Sequence, residues 1–119
     1  MTSPLARLAT LGALGLFAGM FHTHLLKSAP GNRQTLTSSP TEVRLWFSER
    51  PEVPFTSVTI LRADSTRVAT IKAVATDDSL AVSAPLPAPL GAGAYVIQWR
   101  TASSDGHAIR GRIEFSIAP

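Results

Sequence analysis

The run Tyr95-Val96-Ile97-Gln98-Trp99-Arg100, announced by Gly91 and Gly93, has the pattern of a β-strand. Side chains alternate across a strand, so Tyr95, Ile97 and Trp99 share one apolar face. Working outward, Arg112-Ile113-Glu114-Phe115-Ser116-Ile117 places Ile113, Phe115 and Ile117 opposite Arg112, Glu114 and Ser116. Glu42-Val43-Arg44-Leu45-Trp46-Phe47 does the same with Val43, Leu45 and Phe47. Three such faces can fill the space between two sheets packed about 10 Å apart. Trp46 points away from that core, which leaves it either partly buried under a loop or forming a wall beside a ligand site.

Further short runs are separated by turn chemistry. Leu25 to Lys27 is stopped by Ala29-Pro30-Gly31-Asn32, and Ser57–Arg62 is joined to Val68–Lys72 around Ala63-Asp64-Ser65. Leu80-Ala81-Val82 runs into Pro85, Pro87 and Pro89, each lacking a ladder donor, so this stretch reads as an edge or a loop. Short strands at this spacing predict an all-β sandwich or barrel of about seven strands. No stretch beyond the N-terminus combines helical apolar spacing with a capping signal.

Residues 1–21 read as a leader. Arg7 precedes an apolar run from Leu8 to Phe21, at about fourteen residues short for a membrane span and suited to the helical core of a signal peptide. Phe21 is a poor residue at a cleavage point, where small side chains are preferred. Cleavage before His22, cleavage after Ala18 or Gly19, and an uncleaved tether all stay open. The remainder, 22–119, is the length of one small domain. It has no cysteine, which excludes disulfides and thiolate metal sites. The formal charge is +3, and the basic residues are scattered singly through strand-like segments. A nucleic-acid binder needs a clustered basic face, so none is expected here.

The chemistry lies in Ser104-Asp105-Gly106-His107-Ala108-Ile109-Arg110-Gly111 and in His22 and His24 beside the leader. A chain beginning at His22 offers an α-amine and an imidazole from one residue. Asp105 and His107, two apart on a strand or its edge, add an oxygen and a nitrogen from one side. Such a hard N/O set selects Cu(II). Taken singly, Asp105-Gly106 is a common turn pair, and the His107 ring could cap a carbonyl. His24 reads as solvated, and Glu49 and Arg110 as exposed charges.

His22-Thr23-His24-Leu25-Leu26-Lys27-Ser28-Ala29-Pro30 resembles the mature start of the CopC-type periplasmic copper-binding and copper resistance proteins. Val43-Arg44-Leu45-Trp46-Phe47-Ser48-Glu49 is similar to a second family landmark, and Gly93–Arg100 followed by Ser103-Ser104-Asp105-Gly106-His107 to a third. Gly111 and Phe115 fit the closing strand. The resemblance implies a small Greek-key, immunoglobulin-like sandwich behind a signal helix. It implies Cu(II) ligation by His22, Asp105 and His107, with Asp105 either bound to the metal or orienting an imidazole.

The expected protein is an exported, monomeric copper carrier rather than an enzyme. It would buffer Cu(II) or deliver it to a membrane transporter of the CopD type. The alternative is a metal-free interaction module with an impaired site. No triad order or phosphate loop argues for catalysis. Met1 and Met20 are the only methionines, so the thioether Cu(I) site of some relatives is not expected.

Overall fold

The alternating runs become the facing walls of one core. In the computed structural model, which describes residues 23–119, Val43, Leu45, Phe47, Val58, Ile60 and Ile97 are completely buried. The leader and His22 lie outside the described residues.

The strands are β1 Leu25–Ala29, β2 Gln34–Leu36, β3 Glu42–Phe47, β4 Ser57–Arg62, β5 Arg67–Lys72, β6 Val74–Ala75, β7 Ala81–Pro85, β8 Gly93–Ala102 and β9 Ala108–Ile117. One sheet has the order β1-β3-β7-β6 and the other β2-β9-β8-β4-β5. The chain crosses between the sheets after β1, β2, β3, β5 and β7, giving a Greek-key sandwich. Two strands beyond the seven expected, β2 and β6, are three and two residues long. Pieces that short carry no alternation to read.

Phe47 from one sheet meets Trp99 from the other edge to face, with ring centres 5.5 Å apart and planes at 70°. Tyr95 stacks on Phe115 at 5.5 Å, and its hydroxyl donates to the Gly91 carbonyl at 2.8 Å. Trp46 is half-buried on the outer face, its cover coming from side chains rather than a loop. The Lys27 ammonium sits 4.4 Å from its ring centre and the Arg44 guanidinium 5.7 Å. The proline-flanked run is a strand as far as Pro85. It lies second from the sheet edge, beyond which β6 pairs only through Val74↔Ser83 and Ala75↔Val82.

Strand β8 runs further than the apolar pattern suggests because its next inward residue is polar. Thr101 is completely buried. Its hydroxyl lies 2.7 Å from that of Thr56, which donates to the Glu52 carbonyl at 2.8 Å. Because the Thr56 proton goes to Glu52, Thr101 is the donor between the two hydroxyls. This link pins the segment before β4 to the end of β8. Thr101→Val removes that donor while keeping shape, and should lower stability by about 1 kcal/mol in urea unfolding.

Candidate metal centre

Ser103–His107 is the turn between β8 and β9, just past the strand ends. The Ser103 amide donates to the His107 carbonyl at 3.0 Å and the Gly106 amide to the Ser103 carbonyl at 2.9 Å. Gly106 adopts φ +88°, a conformation that suits glycine.

Asp105 organises this turn. It accepts from the Ser103 hydroxyl, from the His107 amide at 3.1 Å, and from His107 Nδ1 at 2.9 Å. These donors, the Ser103 hydroxyl first, hold its carboxyl well below the usual carboxylate range. An ionised carboxylate can only accept, so Nδ1 carries the proton of the neutral ring. The Nε2 lone pair is then free. The His107 side chain is 78% exposed, which makes an Nε2 ligand accessible. A carboxylate that fixes the tautomer and aim of an imidazole is a recurrent support for metal-binding histidines.

Thr23 and His24 are anchored at the same end of the sandwich. The His24 amide donates to Ser48 Oγ at 2.8 Å, and the Ser48 amide returns a bond to the His24 carbonyl at 2.8 Å. Thr23, only 3% exposed, donates from its hydroxyl to Glu49 Oε2 at 3.3 Å. The segment after Glu49 bonds to the hairpin through the Glu52 amide and the Ala102 carbonyl, at 3.2 Å.

Asp105 and His107 are therefore brought together, and the residue joined to His22 is tied to the same end. Among the described residues no three His, Asp or Glu side chains converge as a metal cluster. His24 is exposed. Ser103, Ser48 and Glu49 support the site although the sequence reading assigns them no role. Ser48 and Ser103 directly follow strands β3 and β8, Glu49 comes one residue later, and all three fall within the family landmarks quoted above.

Three comparisons bear on this arrangement. The CopC structure from Methylosinus trichosporium OB3b superposes with a TM-score of 0.76 at 30% identity, covering 82% of this chain and 95% of that one. PcoC, described as a methionine-rich copper resistance protein from Escherichia coli, gives a TM-score of 0.70 at 29% identity, covering 81% and 98%. The copper transport protein CutJ of Bacillus subtilis is 32% identical over 97 residues, which span 81% of this chain but 18% of that protein. A CopC domain model matches residues 25–118, and the chain belongs to the CopC domain family.

Proposed function

We propose that this chain carries Cu(II) outside the cytoplasm, using the amine and imidazole of His22 and Nε2 of His107. The observation that carries this reading is the His107 ring, held by Asp105 with its second nitrogen free, at the end where Thr23 and His24 are clamped. The copper-named relatives support the choice of metal. The donor set supports Cu(II) over Cu(I), because the methionines needed for a soft site are absent from residues 23–119.

Asp105 acts in this reading by orienting His107, since both its oxygens already accept bonds within the turn. The monomer supplies every ligand, and the protein is a carrier rather than an enzyme. It is exported, free in the periplasm or tethered by its leader, and exchanges copper with a membrane transporter of the CopD type.

The test compares the chain beginning at His22 with one retaining Phe21, each titrated with Cu(II) and read by electron paramagnetic resonance. The chain from His22 should bind one copper with nitrogen hyperfine structure, and retention of Phe21 should weaken binding at least about tenfold. Equal affinity for the two chains would remove the amine from the site.

Acidification should release copper, because protons compete with the metal for the nitrogen donors. Asp105 does not contribute to this loss. Its folded-state pKa is depressed, so what the charged carboxylate contributes is present above its unfolded value of about 3.9 and lost only as pH falls through the folded one. Copper binding followed from pH 8 to pH 5 should therefore track the nitrogens alone.

A further inference from the structure

Strand pairing collects basic residues that are far apart in sequence onto the outer face of the five-stranded sheet. Lys72 pairs with Ser57, Ser57 with Arg100, and Arg100 with Arg110, forming one row across β5, β4, β8 and β9. Arg112 lies in the next row, opposite Gln98. All four cations are exposed. Arg112 is bonded to Glu114 at 3.1 Å. Among the described residues, Lys72, Arg100 and Arg110 have no ion-pair partner, and residues 1–22 contain no acidic side chain.

Arg100 directly opposite Arg110 is a like-charge cross-strand pair, an arrangement that destabilises a sheet. The neighbours are the small polar Ser57 and the amide of Gln98, which leave the guanidinium groups open. The row lies one step along the same face from Ala102↔Ala108, the last pair before the turn that holds Asp105 and His107. A partner on this face would reach the metal-binding end.

We propose that this face docks an extended, carboxylate-rich segment of a protein partner. Three of the four cations are arginines, whose planar forks match carboxylates in bidentate fashion. Arg110 and Arg112 are two apart on one strand, a separation of about 6.8 Å that alternate side chains of an extended peptide reproduce. A lipid surface is the poorer fit, because the exposed large apolar residues Leu26, Val74 and Leu80 lie with the other sheet and Phe55 stands alone at the edge of this face, beside Arg100 and Ala108. That the partner exchanges copper rests on the reading above; the docking itself does not require metal.

The experiment titrates metal-free, isotope-labelled full chain with a synthetic peptide alternating aspartate and threonine, followed by amide NMR shifts. The matched peptide with asparagine for aspartate is the control. The acidic peptide should shift amides of β4, β8 and β9, weaken with added salt, and bind about tenfold or more worse to the Arg100→Gln/Arg110→Gln protein. The neutral peptide should not bind.

Arg110→Gln alone should keep the fold and raise Tm by about 1–4 °C through relief of the like-charge pair. Cu(II) titration of the double variant should match the unaltered chain, which separates failure of the docking face from failure of the copper site. Peptide binding indifferent to the double substitution would overturn the proposal. So would capture by phosphatidylglycerol vesicles in the absence of peptide binding.

Discussion

Gly111→Val is expected to destabilise the domain by about 3 kcal/mol or more, enough to unfold much of a small protein. Gly111 pairs with Trp99 across β8 and β9, and the Trp99 indole lies flat over the glycine. A Cβ placed on Gly111 would stand 2.3 Å from Cε2 and Cζ2 of Trp99 and 2.5 Å from its Nε1. The ring cannot retreat, because it is 6% exposed and packed edge to face on Phe47.

Overpacking a rigid interior forces strained rotamers or backbone shifts, commonly about 1–3 kcal/mol, and a branched side chain against an indole belongs at the upper end. Urea unfolding followed by near-ultraviolet circular dichroism measures the loss. Gly111→Ala combined with Trp99→Leu should recover part of what Gly111→Ala loses alone, since the two residues share one space. Full stability in Gly111→Ala would contradict the packing described here.

His107→Ala should lower Cu(II) affinity about a hundredfold or more and remove one imidazole nitrogen from the paramagnetic resonance spectrum. The side chain is mostly exposed, so stability should stay within about 0.5 kcal/mol of the unaltered protein. Affinity and folding are thereby separated.

Asp105→Asn is the companion measurement. If Asp105 acts by aiming the ring, the substitution should weaken binding about 10–100-fold while leaving the nitrogen hyperfine pattern intact. Loss of the nitrogen pattern itself would mean that the turn has collapsed. An unchanged affinity would mean that Asp105 serves the turn alone. His24→Ala should leave both affinity and spectrum as they were.

Much of this architecture was legible in the residues. Period-two alternation in β3, β8 and β9 named the inward faces, because a strand exposes its pattern directly when one side is apolar and the other polar. The turn at Asp105-Gly106 was legible too, as a local preference of two residues. The extension of β8 was hidden because Thr101 is buried by a hydroxyl pairing with Thr56, a contact between residues 45 positions apart. Strands β2 and β6 were hidden by their shortness, and the clamp at Ser48 and Glu49 by its dependence on the distant Thr23 and His24.

The Asp105–His107 pair lies between these cases. Its spacing made both side chains candidates, yet spacing alone left Asp105 free to bind metal or to orient the ring. The folded turn brings the Ser103 hydroxyl and His107 Nδ1 onto the two carboxylate oxygens, and the orienting role proposed for Asp105 rests on that arrangement. Local pattern thus sufficed for strand faces, turn positions and the candidate donors, since each depends on neighbours along the chain. The basic row of Lys72, Arg100 and Arg110 exists only in the folded sheet. Scattered singly in sequence, these cations become neighbours through cross-strand register, which long-range packing sets and no local stretch encodes.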